Sequence, residues 1–179
     1  MKGCVLPLVA QPGGTGCAPT LGSMTFPTAR PLDASEQELL AVATRTIDAA
    51  TDRTDPEADG LHTVGAAVLD GGGSVHTGVN LYHFTGGPCA ELVALGAARA
   101  NGAREVAAIV AVGDLGRGVL ALCGRDRQVL VDHHPGCRVV VPGPDGGPPV
   151  SVEVGDLLPG AYRSSTAVEA SPTADPEEV

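Results

Sequence analysis

The sequence predicts a three-layer α/β/α domain built on a mixed sheet of about five strands. Three observations carry this. An amphipathic helical stretch follows Ser35, two apolar runs flank a glycine-rich turn, and helical segments then alternate twice with continuous apolar strands. The order α-β-β-α-β-α-β predicts two strand-helix-strand crossovers, which place helices on the faces of the sheet.

Residues 1–30 are rich in Gly, Pro and Thr without periodicity and read as a flexible arm, with Met24 as a candidate true start. The domain is expected over residues 31–163. Ser35 followed by Glu38 has capping-box spacing, and Leu39, Leu40, Val42, Ala43 and Ile47 recur at helical intervals to about Ala50. A charged loop, Thr51 to Gly60, ends that helix. Val64 to Leu69 and Val75 to Leu81, separated by Asp70-Gly71-Gly72-Gly73, read as a β-hairpin. Ala and Leu density from Cys89 to about Asn101 favours a helix, stopped by Asn101-Gly102. Val106 to Val112 has the unbroken hydrophobicity of a strand buried on both faces. A loop to Leu122 leads to a helix from Cys123 to about His134, then a strand from Cys137 to Val141 and an edge strand from Val150 to Val154. From Ser164 to Val179 the chain is small, polar and acidic, the composition of a disordered tail.

Composition narrows the function. Lys and Arg total 11 against 21 Asp and Glu, a formal charge of −10 with no basic stripe, so long nucleic acids have no electrostatic footing as partners. A small neutral or cationic substrate suits this field. With two Phe, two Tyr and no Trp, stacking on a ligand falls to Tyr82, Phe84, Tyr162 or the histidines. Five cysteines without disulfide-scaffold spacing predict a reducing compartment. The apolar run Val5 to Ala10 is too short for a secretory segment, and no run reaches the ~20 apolar residues of a membrane helix. The expected location is the cytoplasm, away from membranes.

Two segments carry chemistry, each opening a predicted helix: Pro88-Cys89-Ala90-Glu91, and Cys123-Gly124-Arg125-Asp126. Side chains at i and i+3 on a first turn point the same way, and helix N-termini favour anionic forms. Cys89, Cys123 and Asp126 can hold zinc, leaving a fourth tetrahedral position for water that ionises near pH ~7. Glu91 is then free to move protons, and the Ala90 N–H stands at a helix start where it has no intrahelical acceptor. Cys4, Cys17 and Cys137 have no partners at metal spacing, and His133-His134 suits a C-terminal helix dipole.

These motifs resemble those of the zinc deaminases, which pair a His or Cys, a spacer and a Glu with a later Cys-x-x-Cys. The run Thr77 to Leu92, with Cys123 to Pro135 and Leu157-Leu158-Pro159, is similar to the blasticidin S deaminases, small tetrameric members of the cytidine deaminase superfamily. The similarity spans roughly Ser35 to Tyr162. It implies a cytidine deaminase-like fold, Zn2+, a homotetramer, and hydrolytic release of ammonia from a cytosine-type ring in a nucleoside, base or nucleoside antibiotic. It also implies substrate contacts from Asn80, Tyr82, Ala90, His62, Phe84 and Tyr162. Cytidine deaminases carry a ribose-binding Glu at this position, whereas here, as in the blasticidin enzyme, Tyr82 stands in its place. Asp126 replaces the family's third Cys, and Leu122 replaces a Pro. Two other readings remain: a deaminase-fold binding or regulatory module that lost catalysis with the change at 126, and a structural metal site. Glu91 beside Cys89 argues against both.

Overall fold

The computed structural model describes residues 26–53 and 60–162. The expectations for the first 25 residues, including a start at Met24, and for the acidic tail lie outside the described residues. Phe26 to Arg30, which composition assigns to the arm, instead pack on the domain. The Thr28 amide and hydroxyl both donate to Asp156 Oδ2, at 2.8 and 2.6 Å.

Strand β1 (Arg30–Pro31) precedes helix α1 (Ala34–Ala50). The helix is capped two residues before Ser35. Asp33 Oδ1 accepts from the Glu36 amide and Glu36 Oε2 accepts from the Asp33 amide, each at 3.0 Å. Ser35 and Glu38 have the same spacing, but the Ser35 hydroxyl donates to Asp33 Oδ1 instead. Asp33 prevails because its partner Glu36 is buried and clamped by the Arg30 guanidinium at 2.8 and 2.9 Å and by the Ser151 hydroxyl at 2.6 Å.

The hairpin forms as expected from β2 (Val64–Asp70) and β3 (Val75–Val79), paired antiparallel from Gly65↔Val79 to Leu69↔Val75. Asp70 Oδ1 holds the turn by accepting from the Gly72 and Ser74 amides at 2.9 Å. Helix α2 (Ala90–Ala100), β4 (Val106–Gly113), β5 (Gly118–Leu120), α3 (Gly124–His133), β6 (Arg138–Val141) and β7 (Val150–Glu153) follow. A short 3-10 turn, Val154–Leu157, ends the domain core.

The sheet has seven strands, in the order β1-β7-β6-β4-β2-β3, with β5 paired to β4 beyond the end of β6. The two strands beyond the expected five are β1 and β5. They have two and three residues, too short to show a period of two. β7 is not the edge, because β1 pairs with it through Arg30↔Ser151 and Pro31↔Val150. Pro31, which has no N–H to offer, sits on the outermost strand, where a ladder tolerates it.

Successive residues of β4 point into two cores, as its unbroken hydrophobicity predicts. Ala108, Val110 and Val112 meet Leu39, Ala43 and Ile47 of α1, while Ile109 and Ala111 meet Ala90, Ala94 and Ala98 of α2 and Leu130 of α3. One helix therefore covers one face and two cover the other, giving the three layers.

This topology places the site. β3 and β4 are both antiparallel to β2, so they run the same way. The helices that follow them start at the same end of the sheet, outside the carboxyl ends of parallel strands, where α/β domains bind ligands.

Candidate active site

Cys89 and Cys123 are the N-cap residues of α2 and α3, both in extended backbone conformation, and neither makes a side-chain capping bond. Their thiols are thus free to face each other, and the Sγ atoms stand 3.8 Å apart. Asp126, one turn into α3, is fully buried, and its Oδ2 accepts from Cys123 Sγ at 3.1 Å. One ligand atom from each of the three lies within 4.8 Å of the others.

Close packing holds this arrangement. A Cβ on Gly78 of β3 would stand 2.7 Å from the Ala90 carbonyl oxygen and 2.9 Å from the Val93 carbonyl carbon, so α2 lies directly on the β3 backbone at its first turns. On the other side, the Arg127 guanidinium donates to the carbonyls of Leu122 (2.8 Å) and Leu157 (3.1 Å). Leu122 itself is buried in the core, which fixes the approach to Cys123 without a proline.

The electrostatics are those of crowded acids. Burial, then the charge of Asp126 and the contact with Cys123, pushes the Cys89 thiol up to about 12. Burial also pushes Glu91 up to about 7, with Asp126 adding to the effect. Asp126 Oδ1 is buried with no hydrogen-bond partner among the described residues.

A divalent cation fits this donor set. Two thiolates on a tetrahedral zinc at ~2.3 Å stand roughly 3.8 Å apart, which is the separation of Cys89 and Cys123. It would also neutralise the mutual repulsion and give the orphaned carboxylate oxygen a partner.

The chain is 41% identical over 103 residues to a cytidine deaminase of Halalkalibacterium halodurans, covering 56% of this chain and 77% of that protein. It is 31% identical over 113 residues to a blasticidin-S deaminase of Bacillus cereus, covering 58% of this chain and 79% of that one. The chain belongs to the cytidine deaminase superfamily. It is a hydrolytic deaminase, acting on C–N bonds. The crystal structure of a cytidine deaminase from Mycobacterium tuberculosis superposes with a TM-score of 0.58 at 30% identity, covering 74% of this chain and 100% of that one. The one from Burkholderia pseudomallei gives 0.55 at 32% identity, covering 70% and 98%. No protein-family model matches the sequence.

An open cavity of about 440 Å³ leads to the deaminase's two thiols, with Asn80, Tyr82, Ala90, Glu91 and Asp126 in its walls. Not every expected substrate contact is there. His62 is held away by Asp52, whose Oδ2 lies 2.9 Å from Nδ1. Phe84 is 86% exposed and stacks beside His83, 4.4 Å between centroids. Tyr162 is exposed, and its carbonyl accepts from Gln128 Nε2. None of these three lines the cavity.

Asn80 lines it while serving the backbone: Oδ1 accepts from the Thr63 and Val64 amides at 2.8 and 2.9 Å, and Nδ2 donates to the Leu61 carbonyl at 2.8 Å. His83, named only collectively among the histidines that could stack, also lines the cavity, as do Leu81 and Leu120, which escaped the sequence reading. His83 had a signal in its position, six residues before Cys89 on the loop that feeds α2. Leu120 belongs to the strand β5, which was too short to foresee.

Proposed function

We propose that this protein is a zinc-dependent deaminase that replaces the exocyclic amine of a cytosine-type ring, a cyclic amidine, with oxygen from water and releases ammonia. One observation carries the reading. Two thiols at converging helix N-termini lie beside a buried carboxylate that has a free oxygen, with the separate carboxylate of Glu91 in the wall of the same cavity.

Cys89, Cys123 and Asp126 would hold the zinc ion. When bound, it supplies Lewis acidity that makes a water molecule ionisable near pH ~7. Glu91 takes a proton from the attacking water as its oxygen bonds to the ring carbon and passes that proton to the ring nitrogen. It then carries the remaining hydroxyl proton to the exocyclic amine, which leaves as ammonia as the C–N bond breaks and the ring carbonyl forms. A carboxyl whose pKa burial raises toward neutrality suits both directions of that transfer. The Ala90 N–H, in the first turn where no intrahelical acceptor exists, donates to the ring carbonyl oxygen. Tyr82 and His83 give the cavity ring faces for a planar base, and Asn80 shapes its floor through the backbone it binds.

The relatives are described as acting on cytidine and blasticidin S, and we extend that class of nucleoside-type small molecule to this chain. The exposed apolar side chains Leu81, Tyr82, Phe84 and Tyr162 support a homotetramer that covers them. Light scattering tests this. The free thiols of Cys89, Cys123 and Cys137 suit a cytoplasmic enzyme.

The decisive experiment measures bound metal in the untreated protein, then ammonia release from cytosine, cytidine and blasticidin S. Glu91→Gln should retain zinc and lose turnover by roughly 100- to 10,000-fold. Full zinc with no turnover of any such ring by the parent protein would sink the reading and leave a binding module.

A further inference from the structure

Asp126 differs from a thiolate ligand in having two donor atoms, and the structure distinguishes them. Oδ2 lies 3.1 Å from Cys123 Sγ, and one oxygen of the carboxylate lies within 4.8 Å of both thiol sulfurs. Oδ1 of the same carboxylate is buried and accepts no hydrogen bond from any described residue. No Arg, Lys or His pairs with this fully buried side chain among the described residues. The Arg127 guanidinium, one residue along, is committed to the Leu122 and Leu157 carbonyls.

If Oδ2 alone met a metal ion, Oδ1 would keep the full desolvation penalty of an unsatisfied buried acceptor. Folding would have removed it from water with nothing in return. Coordination through both oxygens satisfies the two together, and bidentate carboxylates are an ordinary mode for oxygen-binding cations.

We propose that Asp126 chelates the metal through both carboxylate oxygens, so that Cys89, Cys123 and Asp126 supply four donor atoms and one water makes the ion five-coordinate. This rests on the metal-dependent reading above and extends it. The site is not a thiolate site with one weakened ligand but a mixed sulfur–oxygen site with a higher coordination number. Such a site is less selective for soft, four-coordinate cations, because harder ions that prefer oxygen and more ligands lose less in it. We therefore expect Mn2+ to compete with Zn2+ better here than in the variant Asp126→Cys.

X-ray absorption on the zinc-loaded full-length protein tests the geometry directly. The expected result is two sulfur and three oxygen scatterers, with the carboxylate carbon appearing at the short distance of a chelating group. Two sulfurs and two oxygens, with no such carbon, would overturn the proposal.

Cobalt substitution of the same protein gives a second readout that needs no variant. A five-coordinate ion shows weak d–d bands, and a tetrahedral one shows bands several-fold stronger. In Asp126→Cys the bands should intensify and thiolate-to-cobalt charge transfer should rise in the ratio of three thiolates to two. Unchanged bands in a folded, cobalt-loaded Asp126→Cys count against chelation. Absence of any bound metal in the parent protein would defeat the metal-dependent function itself, whereas tetrahedral zinc defeats only the chelation.

Discussion

The contact between α2 and β3 sets the position of Cys89 and Glu91, and Gly78→Ala tests it. The added Cβ would stand 2.7 Å from the Ala90 carbonyl oxygen and closer still to the Ala94 nitrogen, whereas ordinary contact begins at 3.4 Å. Both atoms are helix backbone, so no side chain can rotate out of the way and α2 must withdraw from the sheet. Overpacking of this kind costs about 1–3 kcal/mol, a fall in Tm of roughly 3–12 °C. The withdrawal also carries Cys89 and Glu91 away from Cys123 and Asp126 on α3. A misplacement on the order of 1 Å costs roughly 100-fold in rate, and bound metal should fall with it. Gly96→Ala on the same helix is the control. Nothing lies within 4 Å of its new Cβ, and it should gain about 0.5–1 kcal/mol from reduced backbone freedom, with activity and metal unchanged. Thermal melting by circular dichroism, with metal content on the same samples, reads both variants. A Gly78→Ala protein that melts within about 1 °C of its parent and keeps its metal would refute the claim that this contact positions the site.

Other perturbations have equally definite outcomes. Asp114 is fully buried and joins Thr51 at the end of α1 to Arg53 and Arg117, so Asp114→Asn should cost about 1–3 kcal/mol. Burial alone would raise this carboxyl, but hydrogen bonds from Thr51 and Arg117 hold it below its ordinary 3.8. The difference in Tm between parent and Asp114→Asn should therefore hold from pH ~7 to ~5 and close as the pH falls through the depressed folded value. Chelation should lower Tm, and zinc returned at 100 times its Kd should restore about 2.7 kcal/mol; a melt indifferent to chelator would count against the metal. Tyr82 gives a ring face to the cavity, so Tyr82→Ala should lower kcat/KM for a cytosine-type ring by up to about tenfold.

Much of this molecule was legible in the sequence because its interior is simple. The run from Val106 to Val112 could only be a strand buried on both sides, and its residues divide between two cores. The potential ligands were legible for a related reason: Cys89 and Cys123 each open a helix, Asp126 lies in the first turn of the second, and helix starts carry their own residue signals. What escaped depends on distant contacts. The choice of Asp33 over Ser35 as the cap is settled by Glu36, whose partner Ser151 lies 115 positions away. β5 has three residues, and the turn before it places Leu115 at φ 51°, which no local preference of leucine predicts. The family resemblance implied a substrate contact from His62, but Asp52 lies ten residues back and binds both its amide and its ring.

One expectation from local structure ran against the geometry, and magnitudes explain why. Helix N-termini favour anions, so both thiols were expected to ionise readily. A helix terminus contributes about 0.3–1 kcal/mol. Two unit charges 4 Å apart repel by roughly 4 kcal/mol at an effective dielectric of 20, and Cys89 faces Cys123, Asp126 and Glu91 while partly buried. Burial, with repulsion added to it, therefore outweighs the dipoles and pushes the thiol's pKa up. A divalent cation reverses the balance, since each repelling neighbour then shares an attraction to the same ion. Under the proposed function, the crowding that would be a defect without an ion is what would suit these three side chains to a metal, and Asp126, with an oxygen that has no partner among the described residues, would gain most from its arrival.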